Sequence, residues 1–365
     1  MRPTCLEVNI TAIKENLQRV RERVKGKRIF AVVKADAYGM GSPAVTKALI
    51  EEGLKDFAVG PLEEAETLRN HGVRENILML APFMDSEIPD LIDISVTPTL
   101  IDYHRAKALN DFAYKKNLKV PVHVKVDSGM GRLGVDIKNA FPFIERLVGL
   151  RNIKIEGIYS HFPSADLPDE AFTRQQIAQF KELLECCQHL SLSPLTSHFA
   201  NSGAIIAFPE SHFDGVRPGI MLYGAYPSAF VQSQIQLSKV ATLKTRILSI
   251  KEIQAGDGVS YGRTFIAKAK MKIAVLPIGY ADGQSTLLSN RGIVSVCGRK
   301  VPVIGRVCMD YTMIDVTGLD EIDIGEEVIL LGDGITEEDI SRRTGLIPYE
   351  VLTSISKRVP RIYTY

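Results

Sequence analysis

Short apolar runs alternate with longer amphipathic stretches over the first two-thirds of the chain. Eight of these runs have the length and composition of buried strands, at residues 29–33, 57–60, 77–80, 94–96, 120–126, 153–159, 195–199 and 213–222. Stretches with helical periodicity lie between them, at residues 42–53, 62–70, 103–116, 138–150 and 170–190. Apolar strands that alternate with helices are typical of a parallel sheet. Eight such units in succession favour an α/β fold with an N-terminal (β/α)8 TIM-like barrel over an open doubly wound sheet.

From about residue 237 the long helical patterns stop, and short strand-like runs are separated by Gly, Asp and Pro. These runs occupy residues 241–250, 272–276, 293–296, 300–304, 312–316 and 327–331. They predict a C-terminal mainly-β domain over residues 237–365, after a barrel domain over residues 11–236. We expect the strand-like residues 1–10 to pack with the C-terminal domain, and a short helix to begin near Thr336.

The composition is that of an ordinary globular protein, with 45% hydrophobic and 24% charged residues. The net charge of +1 argues against a nucleic-acid partner and against binding to an acidic membrane surface. The chain begins without a leader pattern, and its apolar runs are too short for a membrane span, so we expect a cytoplasmic protein. The five cysteines form no CxxC pair, which suits a reducing compartment, and no residue cluster has metal-binding spacing, so we expect no metal.

Two familiar motif patterns occur, but their surroundings do not fit the functions that they usually indicate. Residues 129–134 match the G-x-G-x-x-G pattern of dinucleotide-binding folds, yet no helical pattern begins at once, and Glu156 lies inside the next strand rather than at its end. Residues 258–262 match the G-x-S-x-G elbow of hydrolases, which requires a later histidine. All seven histidines precede Ser260, so that catalytic order cannot form.

Polar residues with useful chemistry follow several of the predicted barrel strands. Lys34 comes directly after the first strand, Lys125 and Arg132 lie at the fifth strand and its loop, His161 follows the sixth, Asn201 and Ser202 follow the seventh, and Arg217, Gly219 and Ile220 lie in the eighth. Barrel enzymes place their chemistry at this C-terminal rim and often bind phosphate after strands seven and eight. Lys34 could instead extend to solvent. The strand ends at this rim would bring together a lysine able to form a Schiff base, groups that can bind phosphate, and an arginine. This combination favours pyridoxal phosphate (PLP) as the cofactor.

Nine segments of the sequence resemble those of one enzyme family, the alanine racemases, and they occur in the family's order. They are residues 31–41 (Ala-Val-Val-Lys-Ala-Asp-Ala-Tyr-Gly-Met-Gly), 125–134, 160–162, 200–202, 216–220, 259–262, 277–283, 305–310 and 356–361. The chain departs from the common family pattern at Asp36, at Met40 and at residues 284–286. The resemblance implies a PLP-dependent enzyme that interconverts L-alanine and D-alanine and supplies D-alanine for bacterial cell-wall peptidoglycan.

The resemblance also implies two proton carriers. Lys34 would hold PLP and act as one base, and Tyr261 would act as the other from the opposite face of the cofactor. In the family this tyrosine comes from the opposite subunit, so the resemblance implies a homodimer in which Tyr261 completes the partner's site. A free tyrosine, with a pKa of about 10, is a poor base at neutral pH and needs nearby cations.

Further roles follow from the same resemblance. Arg217 would face the pyridine nitrogen and keep it unprotonated. Arg132 would contact the PLP phenolic oxygen and the substrate carboxylate, and Lys125 matches a lysine that is often carbamylated. The remaining matches are Tyr38, Ser202 and Tyr349 as phosphate ligands with the backbone at Gly219 and Ile220, Asn201 in the cofactor site, His161 beside the pyridine ring, Met309 at the substrate carboxylate, and Tyr280 with Tyr349 at a narrow entrance.

Three alternatives share this architecture or cofactor. A PLP-dependent racemase of serine or of broader specificity would use the same residues. A fold-type III amino-acid decarboxylase places an acid against the pyridine nitrogen, and Arg217 argues against it. A non-catalytic PLP carrier is a barrel without a β domain, and residues 237–365 together with Tyr261 argue against that.

Overall fold

The structure is a computed structural model that describes residues 3–190, 192 and 195–365. Strands and helices alternate through its first part. The strands there are β1 (Cys5–Asn9), β2 (Arg28–Val32), β3 (Asp56–Val59), β4 (Asn76–Met79), β5 (Thr99–Leu100), β6 (Val120–Asp127), β7 (Val135–Asp136), β8 (Ile153–Tyr159), β9 (Thr196–His198) and β10 (Gly215–Val216). The helices are α1 (Ile10–Val24), α2 (Lys34–Tyr38), α3 (Ser42–Glu51), α4 (Leu62–Asn70), α5 (Ile88–Asp93), α6 (Tyr103–Lys115), α7 (Ile137–Val148), α8 (Ala171–Cys187), α9 (Ser202–Ala207) and α10 (Ala229–Gln232).

Eight of these strands form a closed parallel barrel. Hydrogen-bonded neighbours follow the order β4-β3-β2-β10-β9-β8-β6-β5, and each neighbouring pair along this path is parallel. A parallel bridge between Leu78 and Thr97 joins β4 to the segment that leads into β5, and so closes the ring. The predicted (β/α)8 barrel is therefore confirmed. We call the C-terminal end of its strands the mouth.

The fourth barrel strand was predicted at residues 94–96, and this is wrong. Ile94 caps α5, and Ser95 has a left-handed φ of 54°, so the chain is still turning there. Parallel pairing begins only at Thr97 and continues into β5. A partly buried helix end can show the same short apolar run as a buried strand, and the pattern alone does not separate them.

The eighth strand and the first β-domain strand also differ from their predicted lengths. Within residues 213–222 only β10 is a strand, because Phe213 has a φ of 47° and Ile220–Tyr223 form a 3-10 turn. Residues 241–250 contain parts of two strands rather than one, which pair in different sheets.

A mainly-β domain follows the barrel, as predicted. Its strands are β11 (Ala241–Arg246), β12 (Ser249–Ile253), β13 (Gly258–Val259), β14 (Phe265–Ile266), β15 (Met271–Leu276), β16 (Ile293–Val296), β17 (Arg299–Pro302), β18 (Thr312–Asp315), β19 (Glu327–Leu331) and β20 (Arg361–Thr364), and its helices are α11 (Glu337–Thr344) and α12 (Pro348–Thr353). One sheet has the order β17-β16-β19-β11-β1-β20, and a smaller one has the order β12-β15-β18. Strand β1 lies between antiparallel β11 and parallel β20.

Aromatic and histidine side chains fill the barrel behind its mouth. The His198 ring is stacked between Phe30, at 4.7 Å between ring centroids, and Tyr159, at 4.8 Å. All three side chains are buried. Because the interior is packed, chemistry is confined to the mouth.

Two further observations concern the same described residues. None of their helices combines the length and apolar character that crossing a membrane requires. Among them, no group of three or more His, Cys, Asp or Glu side chains is arranged to hold a metal ion.

Candidate active site

Lys34 begins the short helical turn α2 directly beyond β2, at the mouth of the barrel. The four following residues, Ala35 to Tyr38, have φ between 52° and 55°, so the turn is left-handed, which is rare for residues other than glycine. Desolvation by the rim, with the positive charges of Arg132 and Arg217, lowers the pKa of Lys34, although the residue is open to solvent at the mouth. A lowered pKa leaves more of the amine uncharged and nucleophilic near neutral pH.

A cradle of hydroxyl and backbone groups lies beside this turn. The buried Tyr38 ring is stacked on Tyr223, with 4.8 Å between ring centroids. The Tyr38 Oη lies so close to Gly219 that a Cβ there would overlap it. Ser202 Oγ accepts from Gly219 N (2.9 Å), and no protein acceptor is recorded in the described ranges for the hydroxyl proton of either Ser202 or Tyr38. These donors fit the phosphate of PLP.

The other predicted phosphate residues surround this cradle. The Tyr349 ring, on α12 of the β domain, lies 6.1 Å from that of Tyr38. Ile220 is buried at the start of a 3-10 turn. Asn201 caps α9, where its Oδ1 accepts from a backbone N–H (3.1 Å) and its Nδ2 donates to Phe162 O (3.3 Å). The Asn201 side chain is thus engaged with the protein, and its contact with a cofactor stays a prediction.

Arg217 is buried just beyond β10, and most of its donors are used by the protein. Its Nη1 donates to His198 Nδ1 (2.6 Å) and to His198 O (2.9 Å), and its Nη2 donates to the carbonyl oxygens of Ser160 and Phe199. Burial lowers the pKa of Arg217 to about 10, so the guanidinium stays charged at neutral pH. In the part of the chain that the structure describes, its Nε–H has no protein acceptor. A fixed donor of this kind fits an unprotonated pyridine nitrogen.

Sequence reasoning missed two histidines that lie behind Arg217. Since His198 Nδ1 accepts from Arg217, its Nε2 carries the proton and donates to His123 Nδ1 (2.8 Å). Burial lowers the pKa of both imidazoles, that of His123 to about 3, so neither adds a charge. A signal was present, because His123 lies two residues before Lys125 in β6 and therefore faces the same side of the strand.

Lys125 and Arg132 share the same side of the mouth. Lys125 is buried, and its Nζ lies 5.7 Å from the centre of the Tyr159 ring. Burial and the positive charges of Arg132 and Arg217 lower the pKa of Lys125 to about 8. The Asp127 carboxylate accepts from three backbone N–H groups, at 2.9, 3.1 and 2.9 Å, and so shapes the loop that carries Arg132. A buried amine with this pKa is partly uncharged at neutral pH, which is the form that reacts with carbon dioxide.

His161 lies next to Arg217, with its Nδ1 3.5 Å from Nη2. Burial, together with the positive charges of Arg217 and Lys125, holds the pKa of His161 well below its ordinary range. A neutral imidazole can lie against an aromatic ring without burying a charge, so the residue fits its predicted place beside the pyridine ring.

Tyr261 lies in the β domain. It is 71% exposed and begins a 3-10 turn. It lines a cavity of about 390 Å³ whose recorded lining residues all belong to the β domain. Lys34 is not among the residues that line this cavity in the described part of the chain.

Met309 and Tyr280 lie together on exposed loops of the β domain. Tyr280 N donates to Cys308 O (2.9 Å), which holds the two loops side by side. Tyr280 also borders a cleft of about 530 Å³ that includes Glu350, the neighbour of Tyr349 in α12. The predicted entrance and carboxylate-binding residues are thus brought close to the helix that covers the cradle.

Comparison with known proteins agrees with this geometry. Family models described as the alanine racemase N-terminal and C-terminal domains match residues 8–227 and 240–363. Alanine racemase 2 of Caldanaerobacter subterraneus subsp. tengcongensis is 43% identical over 100% of this chain and 96% of its own length. The structure of alanine racemase from Clostridium difficile 630 has a TM-score of 0.95 at 35% identity, covering 100% of this chain and 96% of that one. Alanine racemase from Bartonella henselae, solved with covalently bound pyridoxal phosphate, has a TM-score of 0.92 at 32% identity and full coverage of both chains.

Proposed function

This chain belongs to the alanine racemase family, and from that premise we propose that it interconverts L-alanine and D-alanine with PLP bound covalently to Lys34. The observation that carries the proposal is one barrel mouth that holds the Lys34 amine, the Tyr38–Gly219 cradle and the Nε–H of Arg217, which has no acceptor among the described residues. The related enzyme from Bartonella henselae binds PLP covalently. A lysine amine, donors for the phosphate and a group that faces the ring nitrogen are what such a cofactor needs from the protein.

Bound PLP withdraws electrons from the α-carbon of an amino acid and so makes the α-hydrogen acidic. Arg217 limits how far this withdrawal goes. Its guanidinium is fixed by His198, Ser160 and Phe199, and it can donate its Nε–H but does not give up the proton at neutral pH. Arg217 would therefore keep the ring nitrogen of bound PLP unprotonated. Negative charge on the α-carbon would then be short-lived, which would disfavour transamination and decarboxylation.

Two opposed proton carriers account for inversion at the α-carbon. We assign one face to the Nζ of Lys34, whose lowered pKa lets the amine accept a proton at neutral pH. We assign the other face to Tyr261 of the partner subunit. The exposure of Tyr261, and its position in a cavity lined by β-domain residues, support this arrangement in a homodimer.

Arg132 and the backbone N–H of Met309 would bind the carboxylate of the amino-acid substrate. The neutral Lys125 amine can add carbon dioxide and release one proton, which gives an anionic carbamate able to pair with Arg132. Tyr280 and Tyr349 would narrow the entrance and so favour a small amino acid.

The test is to purify the protein, record its visible absorption, and follow optical rotation with L-alanine, L-serine and L-lysine in separate reactions. We expect the absorption of bound PLP, and loss of optical rotation that is fastest with L-alanine. The variant Lys34→Ala should lose both. A colourless wild-type protein, or racemisation that survives in Lys34→Ala, would overturn the proposal.

A further inference from the structure

The left-handed turn that carries Lys34 needs support from outside itself. Its residues 35–38 all hold positive φ without a glycine among them, a conformation that L-residues adopt only when their surroundings enforce it. Two backbone bonds stabilise the turn internally, from Ala37 N to Val33 O (2.8 Å) and from Gly39 N to Ala35 O (2.9 Å). The N–H of Ala35, the residue next to Lys34, finds its acceptor elsewhere.

Glu64, in α4, supplies that acceptor. Its Oε1 accepts from Ala35 N (2.7 Å), and its Oε2 accepts from Gly60 N (2.7 Å). Gly60 follows β3, and β3 is the barrel neighbour of β2. One carboxylate therefore ties the residue after Lys34 to the end of the adjacent strand.

The same carboxylate is the acidic group among the recorded charged neighbours of Lys34. The other charged side chains that interact with the Lys34 amine are those of Arg132, Arg217 and Lys125, and all three carry positive charge when protonated. Glu64 raises the pKa of Lys34 against their influence and that of desolvation. Glu64 is thus placed to act on Lys34 both through the backbone and through its charge.

We propose that Glu64 is a positioning residue for cofactor attachment, because its bond to Ala35 N fixes the turn from which Lys34 meets the PLP aldehyde. The inference rests on the proposed function, since it takes Lys34 as the attachment residue. Condensation of the Lys34 amine with the aldehyde forms one carbon–nitrogen double bond and releases water. Glu64 takes no part in that bond formation. Its role is to fix the position of the Lys34 amine during the condensation.

The experiment follows covalent uptake of PLP by the apoenzyme, measured as the rise in visible absorption after mixing. Borohydride reduction and peptide mass then identify Lys34 as the modified residue. The variants are Glu64→Ala, which removes both acceptor atoms, and Glu64→Gln, which keeps one. Glu63→Ala and Glu63→Gln are the matched controls, because Glu63 is an exposed neighbour in α4 whose side chain makes no hydrogen bond recorded in the structure's described residues.

We expect Glu64→Ala to slow uptake at least tenfold, Glu64→Gln to slow it by a smaller factor, and both Glu63 controls to match the wild type. The pH profile of uptake should also move to lower pH in Glu64→Gln, because a negative charge beside the Lys34 amine is lost. A purely structural role would not move that profile. If Glu64→Ala does not fold, as judged by the circular dichroism of its apoenzyme, the rate and pH profile of Glu64→Gln decide the question.

Uptake at the wild-type rate, with the wild-type pH profile, in the folded Glu64 variants would overturn this inference alone. A wild-type protein that takes up no PLP at Lys34 would instead overturn the proposed function.

Discussion

Replacement of Tyr38 by phenylalanine is expected to weaken PLP binding without weakening the apoenzyme. The Tyr38 hydroxyl lies against Gly219 and has no protein acceptor in the described part of the chain, so its removal breaks no bond of the apoenzyme. Burial raises the pKa of Tyr38, so the hydroxyl keeps its proton and can donate it to phosphate. A hydrogen bond to a charged group contributes about 1.5–3 kcal/mol, which corresponds to a roughly 10- to 150-fold loss of PLP affinity. Titration of the apoenzyme with PLP gives the affinity, and calorimetry gives the Tm.

Tyr223→Phe is the matched control for this prediction. The Tyr223 ring is stacked on that of Tyr38, but its Oη donates to Val32 O (2.9 Å). Loss of this buried bond should lower the free energy of unfolding by about 1 kcal/mol, while PLP affinity stays nearly unchanged. Tyr38→Phe should therefore lower PLP affinity and leave stability unchanged, whereas Tyr223→Phe should lower stability and leave PLP affinity nearly unchanged. If Tyr38→Phe lowers the Tm of the apoenzyme and leaves PLP affinity at the wild-type value, the hydroxyl serves the fold and the reasoning is refuted.

Three other perturbations test the remaining roles. Arg217→Glu should let the ring nitrogen take up a proton and increase transamination relative to racemisation. Pyruvate, measured together with optical rotation, reports transamination, and an unchanged ratio of transamination to racemisation would contradict this expectation. Lys34→Ala and Tyr261→Phe proteins, unfolded and refolded together, should recover roughly a quarter of wild-type activity. Half of the resulting two-fold dimers are mixed, and each mixed dimer has one intact site. No recovery of activity in an isolated mixed dimer would argue against the shared site. Burial lowers the pKa of Lys125 to about 8, and the protonated amine does not react, so carbamate formation from carbon-13 bicarbonate should decline as the pH falls below that value. Carbon NMR detects the carbamate, with Lys125→Arg as the control. The absence of a carbamate signal at every pH would remove the carbamate from the mechanism.

The barrel and the β domain could be predicted because burial imposes a repeating pattern on strands and helices. The pattern failed where apolar residues serve other purposes. Ile94 ends a helix and is partly buried, and Ile220–Tyr223 form a 3-10 turn that is as buried as a strand. The two strands within residues 241–250 read as one, because nothing in their composition marks where the chain passes from one sheet to another.

The site was predictable where residues stand at strand ends, as Lys34 and Arg217 do. Its supports were not, because they depend on contacts between distant segments. The left-handed turn has no glycine before Gly39 to indicate positive φ, and Glu64 is one of several acids in an amphipathic helix. The role predicted for Tyr261 rests only on family resemblance, since local patterns carry no information about which subunit completes a site.

The position of β1 bears on how a newly synthesised chain matures. This strand precedes the barrel in the chain, but it pairs with β11 and β20, which are translated far later. Asn9 ends β1 and caps α1, so the first helix of the barrel is joined directly to this strand. Both edges of β1 stay unpaired until β11 and β20 have been synthesised. A nascent chain interrupted before β20 therefore exposes a sheet edge that chaperones and proteases can recognise. Complete chains are therefore favoured over partial ones before a cofactor binds.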